Sequence, residues 1–129
     1  MDTNICIYYI RGKFGLKEKF RTIKKENRFI SEITLAELKF GVHNSESPKK
    51  NQAGLDDFLT GVQIIPIFNA LDLYAAEKAR LRKRGEPIDD FDLLIGVSAI
   101  ANGMVLVTNN ESHFSRIKNI EIENWTKTH

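Results

Sequence analysis

Residues 85–110 read GEPIDDFDLLIGVSAIANGMVLVTNN, an acidic loop followed by two apolar segments. The apolar positions at 92–101 predict a buried helix, and Asn102-Gly103 separates this helix from a short strand at 104–108. Short buried strands that alternate with helices are typical of α/β proteins with a parallel sheet. This stretch therefore predicts an α/β fold class.

The same alternation extends towards both ends of the chain. A β-branched strand is expected at 62–68, with Pro66 near an edge or end, and a helix with a basic C-terminal turn at 71–84. We expect Thr3 or Asn4 to cap the first helix, and the turn-forming segment 44–51, NSESPKKN, to be a loop. The remaining expected elements are helices at 4–10, 16–25, 34–42 and 55–61, and short strands at 28–31 and 120–122.

Length and composition indicate one domain over residues 1–129. The 42% hydrophobic content is sufficient for a core, and the single cysteine, Cys6, argues against a disulfide framework and for a reducing cytoplasm. The apolar stretch 93–107 is too short to span a membrane. An α/β chain usually opens with a buried strand, and only Met1 precedes Asp2. Either that strand is nearly absent or the natural chain begins a few residues earlier.

Charge is unevenly distributed although the chain as a whole carries only +2. Residues 11–28 hold eight basic and two acidic side chains, whereas residues 85–124 hold seven acidic and two basic ones. A second basic cluster consists of Arg80, Arg82, Lys83 and Arg84. A basic surface beside an acidic centre is expected in a protein that binds a polyanion and brings it to a metal site. The alternative is that these charges form solvated helix faces, with the basic C-terminal turn favoured by the helix dipole.

Three carboxylates and one amide stand at the expected boundaries of elements: Asp2, Glu37, Asp92 and Asn110. In a parallel sheet, ligands collect beyond the carboxyl ends of the strands, where such oxygen donors suit a hard cation such as Mg²⁺ or Mn²⁺. Each carboxylate also has a structural alternative: Asp2 and Asp92 as helix caps, and Glu37 in a capping box with Thr34. Asp92 leads directly into a buried helix, which places its carboxylate at the edge of the core.

Four ordered motifs resemble the VapC toxins of the PIN-domain ribonucleases over nearly the whole chain. They are Asp2-Thr3-Asn4-Ile5-Cys6-Ile7-Tyr8, Ile33–Leu38 followed by Gly41-Val42, Gly85–Ile88 leading to Asp92–Ile95, and Val107–Asn110 with Phe114 and Asn124-Trp125. The resemblance implies an α/β/α sandwich around a parallel sheet and a metal-dependent endoribonuclease. It also implies homodimers, cleavage of tRNA or another structured RNA, and a VapB-type antitoxin that covers the site.

The resemblance also implies roles for individual residues. By position, Asp2, Glu37 and Asp92 match the acidic ligands of Mg²⁺ or Mn²⁺ and are expected to lie close together. Asn110 falls where many PIN domains have a fourth acid, so it is expected to be a weak ligand. The side chains expected to contact the RNA backbone are Lys24, Lys25, Arg80, Arg82, Lys83 and Arg84. The competing hypothesis is a non-catalytic module that binds RNA or a partner and whose carboxylates only cap helices.

Overall fold

The computed structural model describes residues 1–127, and the last two residues of the expected domain lie outside the described part. The helices are α1 (Thr3–Ile10), α2 (Leu16–Arg21), α3 (Glu32–His43), α4 (Pro48–Leu59), α5 (Leu71–Lys83), α6 (Asp90–Ala101) and α7 (Glu111–Phe114). The strands are β1 (Phe29–Ser31), β2 (Gln63–Ile65), β3 (Leu106–Val107) and β4 (Ile122–Glu123). Short 3-10 turns precede β1, at Lys25–Asn27, and α5, at Phe68–Ala70.

The strands form two separate parallel pairs. Strand β1 pairs with β2, with Phe29 opposite Gln63, and β3 pairs with β4, with Leu106 opposite Ile122. The predicted α/β class with parallel strands is confirmed. The sheet is nevertheless divided into two halves, and its strands have only two or three residues each.

The starts of four helices differ from the sequence-based expectation, including that of α6, which begins at Asp90 and not at Asp92. Asp2, not Thr3 or Asn4, caps α1, because its carboxylate accepts a hydrogen bond from the backbone N–H of Ile5 at 3.0 Å. Helix α4 begins at Pro48, inside the expected loop at 44–51, since proline is favoured in a first helical turn, where its missing N–H costs nothing. Helix α3 begins two residues earlier than expected, at Glu32.

The core consists of two main apolar clusters, one under each strand pair. Helix α6 is buried along most of its length and packs against β3 and α7 through Leu93, Val97, Leu106 and Phe114. A second cluster gathers side chains of α1 to α4 with β1, including Cys6, Phe20, Ile30, Leu38 and Phe58. Over residues 1–127, no helix is both long enough and apolar enough to cross a membrane.

Candidate metal and catalytic site

Asp2 lies where the first helix meets the end of β3. Its backbone N–H donates to the carbonyl of Val107 at 3.0 Å, and one carboxylate oxygen caps α1. The other oxygen accepts a short hydrogen bond from the Thr108 hydroxyl. Burial raises the pKa of the Asp2 carboxyl, and the hydrogen bonds from Thr108 and Ile5 partly oppose this increase. Asp2 therefore combines a structural cap with a fixed carboxylate at the edge of the core.

Glu37 lies on α3, one helical turn after Thr34. The cap of α3 is Ser31, whose hydroxyl accepts a hydrogen bond from the Thr34 N–H at 3.1 Å. Glu37 accepts instead from the hydroxyl of Thr3 at 2.6 Å, across to the first turn of α1. The capping-box alternative therefore does not describe Glu37, whose carboxylate points towards the residue after Asp2.

Asp92 lies in the first turn of α6 and is half-buried. The helix cap is Asp89, which accepts hydrogen bonds from the N–H groups of Phe91 and Asp92, so Asp92 itself is not a cap. Partial burial raises the pKa of the Asp92 carboxyl, and the negative charges of Asp89, Glu37 and Asp2 raise it further. The Asp92 carboxyl is thus affected by the charges of Asp2 and Glu37, although these residues are far apart in sequence.

Asn110 and His113 form the remaining side of this acidic centre. The Asn110 N–H donates to the Thr108 hydroxyl at 2.9 Å, and its side-chain amide nitrogen lies 3.0 Å from Nδ1 of His113. His113 is exposed, and its positive form lowers the pKa of Asp92. Asn110 is therefore held beside Thr108, the residue that binds Asp2, with its side-chain amide engaged by His113.

The donor chemistry fits a hydrated divalent cation. No three His, Cys, Asp or Glu side chains within residues 1–127 are close enough to form a closed ligand set. The carboxylates of Asp2, Glu37 and Asp92 are thus less close together than the sequence predicts. Like charges repel, and the hydroxyls of Thr108 and Thr3 hold Asp2 and Glu37. A cation such as Mg²⁺ retains several waters and needs only one or two carboxylates directly. The negative charges of Asp89, Glu37 and Asp2, which raise the pKa of Asp92, favour a positive charge beside it.

The basic residues singled out in the sequence differ in their freedom to bind a polyanion. Lys24 and Lys25 are exposed at the 3-10 turn before β1. Arg80 is committed to internal contacts: two hydrogen bonds of 2.9 Å to the buried carboxylate of Glu77, and one of 2.7 Å to the carbonyl of Arg116. The exposed residues at the end of α5 are Arg82, Lys83 and Arg84.

Two hydroxyl residues at this site were not recognised in the sequence. Thr108 binds Asp2, and Thr3 binds Glu37. Both lie inside the motifs given above. Thr3 directly follows Asp2, and Thr108 lies two residues before Asn110. The signal in the sequence is a hydroxyl residue near a candidate ligand, because such side chains commonly orient metal-binding carboxylates.

Comparisons with known proteins show the family of the chain. A family model described as PIN domain matches residues 1–120. Ribonuclease VapC2 of Rickettsia felis is 40% identical over 130 residues, which cover 98% of this chain and 97% of the relative. The tRNA(fMet)-specific endonuclease VapC of Salmonella typhimurium is 33% identical over 127 residues, which cover 97% of this chain and 96% of the relative. The crystal structure of VapBC2 from Rickettsia felis bound to a promoter DNA fragment superposes with a TM-score of 0.90 at 38% identity, covering 96% of both chains.

Proposed function

Because the chain belongs to the PIN-domain family, and within it to the VapC ribonucleases, we propose that it hydrolyses phosphodiester bonds of structured RNA with Asp2, Glu37 and Asp92 as its metal-holding residues. As in PIN-domain ribonucleases generally, the activity depends on a divalent metal. We propose Mg²⁺ or Mn²⁺, since all the candidate donors are oxygens. The named tRNA endonuclease among the relatives supports tRNA as the substrate.

The proposal is supported by the contacts and charges that relate three carboxylates from different elements, although within residues 1–127 they form no closed ligand set. Asp2 caps α1, Glu37 reaches Thr3 of α1 from α3, and Asp92 on α6 interacts electrostatically with both. A fold that needed these residues only as caps would use all three at helix starts. Here only Asp2 is a cap; Asp92 lies in the first turn of α6, where a carboxylate also favours the helix dipole, and Glu37 lies at no helix end.

Each residue of the site has a separate task. When bound, a divalent cation polarises a phosphate and makes water a better nucleophile. The Thr108 hydroxyl donates to the Asp2 carboxylate and the Thr3 hydroxyl to that of Glu37, so each hydroxyl restrains the orientation of its carboxylate. Burial and three like charges disfavour the ionised form of Asp92, so a bound cation would compensate for its charge. Asn110 adds a neutral oxygen and is a weak ligand at most.

The exposed lysines and arginines are proposed to bind the phosphates of the RNA outside the site. Lys24 and Lys25 form one such group, and the end of α5 provides Arg82, Lys83 and Arg84. Arg80 is assigned a structural role, because its guanidinium joins α5 to the segment after α7 through Glu77 and Arg116.

The same proposal includes partners and location. The solved relatives include VapBC complexes from Rickettsia felis and Salmonella typhimurium, which supports a VapB-type antitoxin for this chain. An acidic centre accepts Arg or Lys from such a partner through charge-assisted hydrogen bonds. We also propose a homodimer and a cytoplasmic location, the latter supported by the single, buried, unpaired Cys6.

The test is cleavage of purified tRNA by the wild-type protein. The reaction is followed with Mg²⁺, with Mn²⁺ and after removal of metal by a chelator, and an unstructured RNA of equal length is the comparison substrate. We expect discrete tRNA fragments with either cation and none after chelation. Equal cleavage with and without chelator would contradict the metal site. Equal cleavage of both RNAs would contradict the preference for structured RNA.

A further inference from the structure

The loop between α1 and α2, residues 11–15 (RGKFG), contains a tight turn in the left-handed region of the backbone. Phe14, with a φ of 59°, and Gly15, with a φ of 63°, lie at the centre of this turn. The N–H of Leu16 closes it by donating to the carbonyl of Lys13 at 3.2 Å. The path of the loop is therefore fixed by its own backbone hydrogen bonding.

Phe14 is an unfavourable residue at the centre of such a turn. Two successive left-handed positions are normally filled by Gly, Asn or Asp, because a bulky side chain is strained there. Phe14 gains little burial in return, since 55% of it is exposed, whereas Leu16 is 1% exposed and already packs in the core. Backbone strain without compensating burial points to a functional role for the side chain.

The ring of Phe14 is supported by Tyr8 of α1. The two ring centroids are 5.1 Å apart and the ring planes meet at 70°, an edge-to-face arrangement. Tyr8 is half-buried and packs against the core cluster that contains Ile5 and Val107, so it is a rigid support. Because the two rings do not stack face to face, they leave flat apolar surface available to a third ring.

The charges around this aromatic pair are positive. Arg11, Lys13 and Lys17 are exposed, and residues 11–17 contain no acidic side chain. None of the three basic side chains forms an ion pair with another residue of the described range 1–127. Exposed aromatic rings among free cations are the combination that binds single-stranded nucleic acid, since bases stack on the rings and the cations bind the phosphates.

We propose that Phe14, supported by Tyr8, stacks against an unpaired base of the RNA substrate. Arg11 and Lys13 bind the adjoining phosphates. This stacking site rests on the proposed function, because it recognises the same RNA that is hydrolysed at the acidic centre. Helix α1 connects the two places: it begins after Asp2, and its rise from Asp2 to Tyr8 is about 9 Å at about 1.5 Å per residue. An RNA strand bound at the acidic centre therefore reaches Phe14 within a few nucleotides.

The sign of the charge favours RNA over a protein partner on this surface. The proposed antitoxin supplies Arg or Lys to the acidic centre, whereas the surface around Phe14 carries Arg11, Lys13 and Lys17 and repels further positive charge. Double-stranded RNA is also unsuitable, because its bases are stacked within the helix and offer no free face. The ligand is thus a loop or another single-stranded part of the RNA.

The experiment measures the affinity for a single-stranded RNA and for a double-stranded RNA of equal length. The parent protein is Asp92→Asn, in which cleavage does not interfere. Phe14→Leu keeps an apolar side chain, Phe14→Asn suits the left-handed backbone, and Phe14→Tyr keeps the ring. The matched control is Phe68→Leu, which changes another exposed phenylalanine, on the turn before α5.

We expect Phe14→Leu and Phe14→Asn to weaken binding of the single-stranded RNA by about tenfold, because stacking of one base commonly contributes at least that much. Phe14→Tyr and Phe68→Leu should bind it like the parent, and all variants should bind the double-stranded RNA equally. A salt series separates stacking from charge. Phe14→Leu should weaken binding equally at every salt concentration, whereas Lys13→Ala should reduce the salt slope by about one unit.

Unchanged affinity for single-stranded RNA in Phe14→Leu and Phe14→Asn would overturn the stacking site, and tRNA cleavage by the wild type would still support the proposed function. The same applies if these variants weaken only the binding of a VapB-type antitoxin, or if both RNAs lose affinity equally. A large loss of Tm in both variants would show that Phe14 serves stability, and would also overturn the site. If the parent binds neither RNA, the stacking site and the proposed function both fail.

Discussion

At the scale of single residues, the negative charge of the acidic centre (Asp2, Glu37 and Asp92) is proposed to serve metal binding, and it lowers the stability of the folded protein. Asp92 is partly buried and faces three other negative charges, and both effects raise the pKa of its carboxyl. The folded protein therefore holds the protonated form of Asp92 more readily than the unfolded chain does. Above the ordinary carboxyl range, the ionised group costs stability unless a cation compensates for it.

The substitution Asp92→Asn should consequently stabilise the metal-free protein at neutral pH. Because the folded pKa is raised, the destabilisation by Asp92 is absent below the unfolded pKa and grows as pH rises through the folded value. We expect Tm to increase by about 4 °C at pH 7 and the difference to vanish near pH 3. Thermal unfolding in chelator across this pH range measures it. If Asp92→Asn is less stable than the wild type at pH 7, the negative charge of Asp92 does not destabilise the folded protein.

Thr3 offers a second prediction, because its hydroxyl holds Glu37 at 2.6 Å. We expect Thr3→Val to lower metal affinity or activity by about tenfold, as loss of partners that orient metal ligands commonly does. The control is Thr3→Ser, which keeps the hydroxyl and should retain most of the activity. Cleavage rates measured over a series of Mn²⁺ concentrations separate the two possibilities. If Thr3→Val requires no more Mn²⁺ than the wild type, Thr3 does not position Glu37.

The residues proposed for the site could be named from the sequence, whereas the contacts that hold them could not. Asp92 could be placed because an apolar helix follows it directly. The partner of Glu37 could not be found, because the hydroxyl of Thr3 is 34 residues away and only the packing of α1 on α3 brings it there. The contact of Arg80 with the carbonyl of Arg116, 36 residues away, was missed for the same reason, whereas its pairing with Glu77 is local, three residues away on the same helix.

At the scale of elements, α6 is the helix on which the site depends, since it carries Asp92 and packs against the segment that carries His113. Gly96 permits this contact: a β-carbon at this position would lie 2.5 Å from Cδ1 of Ile117 and 3.4 Å from Cδ1 of Ile120. The first of these distances is below any normal carbon–carbon contact, so Ile117 would have to move.

We therefore expect Gly96→Ala to destabilise the fold by about 1–3 kcal/mol, although alanine is the better helix former. Urea unfolding measures the change. The double variant Gly96→Ala with Ile117→Val, which removes the clashing methyl group, should recover part of the loss. A Gly96→Ala protein as stable as the wild type would show that α6 and the segment after α7 are less tightly packed than described.

The elements themselves were predicted with unequal success. The long helices α5 and α6 follow from their periodicity, since tertiary packing only reinforces a pattern already present along 12 or 13 residues. The strands have two or three residues, too few to show a period, so their ends and the division of the sheet depend on long-range pairing. The start of α4 at Pro48 was missed because turn-forming composition outweighed the preference of proline for a first helical turn.

At the scale of the whole molecule, the distribution of charge should govern how RNA approaches. If Lys24 and Lys25 contact phosphates, RNA affinity falls steeply with salt because each contact releases counterions. We expect the pair Lys24→Ala and Lys25→Ala to weaken binding and to reduce the salt slope by about one to two units. The control pair is Lys49→Ala with Lys50→Ala, an exposed neighbouring pair in the first turn of α4.

Binding is measured in the Asp92→Asn background, so that cleavage does not affect the affinity. If the two lysine pairs reduce the salt slope equally, the basic residues form only a diffuse positive surface. The phosphate contacts would then be sought at Arg82, Lys83 and Arg84.

The most direct test of the central claim is the rate of RNA cleavage by Asp92→Asn and by Asp90→Asn with saturating Mn²⁺. Both substitutions remove one negative charge from the first turn of α6, but Asp90 faces α5, where it binds Lys78 at 2.9 Å and Tyr74 at 2.8 Å. If Asp2, Glu37 and Asp92 hold the metal together, the cleavage rate of Asp92→Asn should fall by at least about a thousandfold. This corresponds to about 4 kcal/mol of transition-state stabilisation. Asp90→Asn should retain the wild-type rate. Cleavage by a folded Asp92→Asn protein at the wild-type rate, or an equal loss in both variants, would contradict the account.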